Sequence, residues 1–239
     1  MGGILFLYLL SGRPLLIAAA VVPAVWLLSY VYKMDRLEKE SRSMLLSLVL
    51  QGIIATIIAI VLETVGGWIT NIFFTKGSLA YHAFTYFGVV AFSEEGAKYF
   101  LLKRKTWQSP EFNCQFDGII YSCFVALGFA LWENISYVLQ FGLGTALVRA
   151  ATAVPGHACF GVFMGAWYGM AKKFENTGDH AKAASCRKLA LIVPALIHGC
   201  YDFIATIEGS TLIFLVFVAI MFLVARSVIR RQAAKDQYI

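Results

Sequence analysis

At 239 residues, 59% of them hydrophobic, only 14% charged and with a net charge of +6, this chain lies far from soluble composition. A soluble domain carries about 25% charged and about 45–50% apolar residues. Its apolar residues come in runs of roughly 20, enough to cross a bilayer as helices, so a soluble globular fold is excluded and an all-α, polytopic membrane helix bundle is expected.

In chain order, ILFLYLL ahead of Pro14 is too short to span alone; it either extends the first helix past a kink or lies at the interface. With no basic n-region before it and no small-residue cleavage site after it, it does not read as a removable signal. Seven spans are predicted: Pro14–Tyr32, Met44–Glu63, Leu79–Leu102, Asp117–Leu139, Ala146–Ala171, Leu189–Ile207 and Thr211–Ala225. No Pro/Gly/Ser-rich linker interrupts them, so residues 1–239 are expected to form a single integral-membrane domain. Loop charges alternate. Sixteen Lys and Arg fall on one side (Lys33 to Arg42, Lys103 to Lys105, Lys172 to Lys188, Arg226 to Lys235) and only Arg13, Lys76 and Arg149 on the other. The positive-inside rule then places the N-terminus outside and the C-terminus in the cytoplasm. The basic excess thus reads as topology, not as a nucleic-acid surface.

The remaining polar features read as structure. Gly161, Gly165 and Gly169 form a small-residue ridge for close helix approach. Asp117 suits an N-cap, and Glu63 and Glu208 sit at predicted span ends, where water reaches them. Asn134-Ile135-Ser136 matches a glycosylation sequon but lies in a helix at the membrane boundary, and is discounted. The five cysteines (114, 123, 159, 186, 200) form no paired framework; Cys159 and Cys200 follow His157 and His198 by two positions, which on a helix turns them away from those imidazoles.

Seven ionisable residues inside apolar runs carry the functional signal: Glu94, Glu95 and Lys98 in AFSEEGAKYF, Glu133 in FALWEN, His157 in VPGHACFG, and His198 and Asp202 in LIHGCYD. Such groups cost several kcal/mol in hydrocarbon and usually face a bundle interior or wet cavity. Glu94 and Lys98, Phe129 and Glu133, and His198 and Asp202 are i,i+4 pairs on single helix faces. Counted at about 1.5 Å per residue from the cytoplasmic ends of their helices, the acids and imidazoles lie roughly 14–25 Å deep, at overlapping heights. A carboxylate there can take a proton from water, and a histidine or ammonium can stabilise an oxyanion. The water is either held by Glu and His alone or bound to zinc or another divalent metal on Glu133, His157, His198 and Asp202.

The ordered set Glu94-Glu95-x-x-Lys98, Phe129-x-x-x-Glu133 and His198-x-x-x-Asp202, with DGIIYSCFVALGFALWENISY and PGHACFG as flanks, resembles the signature of the PrsW family of bacterial intramembrane proteases over about residues 20–225. More distantly it is similar to the CAAX-type prenyl endopeptidases, which carry a histidine where this chain has Glu133. The resemblance implies a multi-pass protease of the bacterial plasma membrane. It also implies site-1 cleavage of a single-span anti-sigma factor in a stress response, with Glu94 or Glu95 as the base. Glu133, His157, His198 and Asp202 would complete the site, with Lys98 orienting or neutralising the glutamates. The partners expected are the lipid bilayer and a single-span membrane protein, not nucleic acid. A proton- or ion-coupled transporter is the rival reading; it predicts a polar path and an internal repeat, and no repeat is evident between the halves. A scaffold would pair its polar residues off separately.

Overall fold

The computed structural model describes residues 13–239. The stretch ILFLYLL, on which a kinked extension or an interfacial segment was expected, lies outside the described residues. The described chain is helical: α1 Arg13–Met34, α2 Arg42–Phe73, α3 Leu79–Ala83, a π-helical segment Phe84–Ala91, α4 Phe92–Thr106, α5 Asp117–Phe141, α6 Leu143–Ala151, α7 Ala153–Asn176, α8 His180–Thr206 and α9 Thr211–Ala234. Ser41, Ser78 and Asp179 cap α2, α3 and α8, their side chains accepting from the backbone N–H groups of Met44, Tyr81 and Lys182.

Six stretches are long and apolar enough to cross a membrane: α1, α2, α5, the run α6–α7, α8 and α9. Their outer faces carry exposed Trp26, Leu50, Ile57, Trp68, Leu212 and Leu223. A surface so apolar suits lipid and not water. The expected span Leu79–Leu102 is helical throughout, but the π-helical segment divides it and Glu94, Glu95 and Lys98 lower its hydropathy.

Three further expectations need correction. The span predicted as Met44–Glu63 runs on to Phe73, so Glu63 stands mid-helix and not at an end. The span predicted as Ala146–Ala171 is two helices that break at Thr152, and Pro155 sits in the first turn of α7, where its missing N–H costs nothing. Asp117 is the first helical residue and not the cap. Its carboxylate reaches back to accept from the N–H groups of Asn113 and Cys114.

Helix α5 is the core of the bundle, buried along most of its length and packed by α1, α2, α4 and α7. Small residues set those approaches. A Cβ on Gly165 would stand 2.3 Å from the Gly118 carbonyl, and one on Gly52 would stand 2.1 Å from the Val125 carbonyl. The α5–α7 and α2–α5 backbones can therefore lie this close only with glycine at both places.

The loop 35–41, the loop 107–116 and the C-terminal segment meet at one end. Ser41 N–H donates to Glu111, Gln115 N–H to the Gln237 carbonyl, and Ile239 N–H to the Asn113 carbonyl. Buried acids gather there. Glu40 accepts from the Tyr121 hydroxyl at 2.7 Å. Burial pushes its carboxyl up to about 7, against the lowering pull of its hydrogen bonds with Tyr121 and Asp117. Burial likewise raises Asp35 to about 6, although Lys39 opposes it. Both titrate near about 4 in an unfolded chain, so the folded state binds these protons more tightly. The stability they contribute is full below about pH 4 and is lost as pH climbs toward about 7. The melting temperature in detergent is therefore expected to fall between about pH 5 and pH 8, and Glu40→Gln is expected to flatten that slope and melt several degrees higher at the alkaline end. An unchanged slope in Glu40→Gln would contradict this account of the cluster.

Candidate active site

The π-helical segment re-phases the helix that follows it. Phe92 and Phe100 of α4 stay exposed, while Glu94, Glu95 and Lys98 turn inward and are 7%, 0% and 1% exposed. Lys98 lies at the centre. Its ammonium donates to Glu94 Oε2 at 3.0 Å, Glu95 Oε1 at 2.7 Å and His157 Nδ1 at 3.2 Å, and it rests 3.9 Å above the Phe129 ring.

From that centre the network runs both ways. On one side His157 Nε2 meets Glu133 Oε2 at 2.9 Å, and the same oxygen pairs with the Arg149 guanidinium at 2.9 Å. On the other, His198 Nδ1 meets Glu95 Oε1 at 3.0 Å and its Nε2 meets Asp202 Oδ2 at 3.3 Å. Phe160 stacks on the His198 ring at 4.6 Å. All seven residues singled out in the sequence thus join one chain of polar contacts contributed by α4, α5, α7 and α8. Because Lys98 donates to His157 Nδ1, the other ring nitrogen carries the proton offered to Glu133.

The network walls a cavity of about 390 Å³. Glu94, Glu133, His157, His198 and Asp202 line it; Glu95 and Lys98 stand behind them. No cysteine lines it, as the spacing from the histidines implied.

Two lining residues escaped the sequence reading. Glu63 reaches the cavity because α2 is longer than expected. Arg149 does so because the break at Thr152 lets α6 fold over the site, where its Nε also donates to Asn134 Oδ1 at 3.0 Å. Asn134 is fully buried and donates to the Ala20 carbonyl, so the sequon is not accessible to a glycan. An arginine on the sparsely basic side of the chain was the one available signal for Arg149.

Among the described residues, donor atoms of Glu94, Glu95 and His157 come within 4.8 Å of one another, a group able to hold a metal ion. Two carboxylates and an imidazole suit a divalent cation such as zinc. That trio differs from the Glu133, His157, His198 and Asp202 set expected from sequence, sharing only His157 with it. Lys98 donates to the same three residues, so its ammonium already fills the centre of the trio, and a metal ion would fit there only with that ammonium moved aside.

The family described as "PrsW family intramembrane metalloprotease" has a sequence model that matches residues 40–226. The chain belongs to the PrsW family. Protease PrsW of Bacillus subtilis (strain 168) is 36% identical over 197 residues, covering 80% of this chain and 83% of that protein. Protease PrsW of Geobacillus kaustophilus (strain HTA426) is 35% identical over 189 residues, covering 79% of each. Protease PrsW of Clostridioides difficile (strain 630) is 33% identical over 208 residues, covering 85% of this chain and 84% of its own. No solved structure matches. As a PrsW protein the chain is an intramembrane protease, a peptide-bond hydrolase, and a multi-pass protein of a bacterial membrane. The transporter and scaffold readings fall away. The seven ionisable residues form one polar network within an apolar bundle, with Glu94, Glu133, His157, His198 and Asp202 on the wall of its chamber.

Proposed function

We propose that this PrsW protein hydrolyses a peptide bond near the outer face of a single-span membrane substrate, an anti-sigma factor in a stress response, using water activated by Glu94. The observation that carries this reading is the difference between the two glutamates: Glu94 lines the cavity, whereas Glu95 is sealed behind it between Lys98 and His198. Glu94 takes a proton as water adds to the substrate carbonyl. The proton then passes to the leaving amine as the carbon–nitrogen bond breaks, which returns the carboxylate to its starting state. Arg149, at the cavity wall, faces the developing oxyanion. Glu133 orients His157, and Asp202 orients His198. A divalent cation, zinc among those its chemistry suits, would be held by Glu94, Glu95 and His157 only in place of the Lys98 ammonium that bridges them, and would then supply Lewis acidity to the same carbonyl.

The bundle end where loops 35–41 and 107–116 meet the C-terminal segment carries the basic residues, which supports a cytoplasmic placement of that end. Helix α2 leaves that end and α4 returns to it. The run Leu79–Thr106 then acts as a seventh crossing, with the N-terminus outside.

The reading is tested by reconstituting purified protein with tagged single-span anti-sigma substrates and comparing wild type with Glu133→Gln, His157→Ala and His198→Ala. A discrete cut that all three variants lose is expected; cleavage surviving in all of them would overturn the assigned site. Elemental analysis of the same samples reads the metal directly. About one divalent ion per chain, lost in a Glu94→Gln/Glu95→Gln variant, is expected if the trio binds metal. Metal-free protein with full activity would remove the metal from the mechanism.

A further inference from the structure

A second cavity, of about 520 Å³, lies outside the protease site, where α1 and α9 flank α7 without closing over it. Ala158, Cys159 and Val162 of α7 form its floor, and Trp26 and Phe222 stand on its walls. Its lining is apolar except at the end where α1 and α9 both finish, where Arg226 and Arg230 close it beside Tyr30. These arginines are one helical turn apart on one face. Both are exposed, and neither has a carboxylate within 4.0 Å among the described residues.

An apolar groove in a membrane protein is solvated by acyl chains, and two unpaired guanidinium groups at its mouth are matched by phosphate. A zwitterionic headgroup would bring its own ammonium toward the arginines, whereas an anionic headgroup would not. We propose that this groove is a binding site for an anionic phospholipid, its chain laid along α7 and its phosphate held by Arg226 and Arg230. Over Trp26 to Val31 and Phe222 to Arg230 the walls run about 8–12 Å along the helix axes, so the site takes the upper part of one chain and its headgroup. The occupant would brace α7, whose opposite face carries His157.

The test is native mass spectrometry of the full chain, released from nonionic detergent and titrated with phosphatidylglycerol or phosphatidylcholine. Wild type is expected to retain phosphatidylglycerol roughly tenfold or more in preference to phosphatidylcholine. Arg226→Gln/Arg230→Gln is expected to lose that preference. Arg231→Gln/Lys235→Gln removes the same charge from the same end but lies off the groove, and is expected to keep it. Equal binding by the two double variants, absence of any headgroup preference in wild type, or displacement of bound lipid by an uncharged transmembrane peptide would overturn the proposal. None of these readouts depends on proteolysis.

Discussion

Glu94→Gln is expected to slow cleavage of a reconstituted single-span substrate by about 10²–10⁴-fold, the range that a positioned general base contributes, while the protein still folds. The substitution keeps an oxygen to accept from Lys98 and removes the carboxylate that faces the cavity. Glu95→Gln should behave differently. Glu95 is fully buried and holds Lys98 and His198 at 2.7 and 3.0 Å, so its loss falls first on folding. With water activated by Glu94 and no metal on the trio, its variant is expected to melt lower yet retain more activity per folded molecule than Glu94→Gln. Rates normalised to folded protein, measured beside thermal unfolding in the same detergent, separate the two. If Glu95→Gln were silent in stability and dead in catalysis while Glu94→Gln cleaved normally, the two glutamates would have exchanged roles, with Glu95 as the base.

The second large effect belongs to Lys98. Its ammonium is buried and serves both glutamates, so Lys98→Met leaves two carboxylates without a countercharge inside an apolar bundle. Removing one partner of a buried pair costs about 3–5 kcal/mol, which for a chain of this size lowers the melting temperature by about 10 °C or more. The cost comes from stranded charge and not from lost packing. A second substitution, Glu95→Gln, is therefore expected to recover a large part of it. A Lys98→Met protein that melts like wild type, or a double variant no more stable than the single, would contradict this account of the centre.

Much of this site was legible because hydrocarbon penalises charge. Glu94, Glu133, His157 and His198 stand out in runs of Leu, Ile, Val and Phe, and helical spacing already joined Glu94 to Lys98 and His198 to Asp202. Long-range pairing was not legible. Nothing in the spacing says that Lys98 bridges to His157, 59 positions away, or that His198 meets Glu95 across 103. Glu63 and Arg149 were missed for a related reason. A span of about 20 residues is the natural length to read, yet α2 has 32 and runs on to Phe73, which leaves Glu63, the expected end, inside the bundle at the cavity. Pro155 does mark the Thr152 break that swings Arg149 over the site, since it cannot donate to the Ala151 carbonyl, but a proline inside an apolar run reads equally as a kink in one continuous span. The π-helical segment is silent in the sequence, although it sets which face of α4 turns inward.

The central claim is that these residues wall one chamber that water enters, in a bundle otherwise faced by lipid. Thiol accessibility measures this most directly. In membranes, Thr56→Cys should react with a small charged methanethiosulfonate, because Thr56 lines the cavity, and the modification should stop cleavage. Ile57→Cys, one residue along and on the exposed apolar face of α2, should remain unlabelled and active. A Thr56→Cys protein as inert to the reagent as Ile57→Cys would mean that no wet chamber exists beside Glu94 and His157 for hydrolysis to occur in.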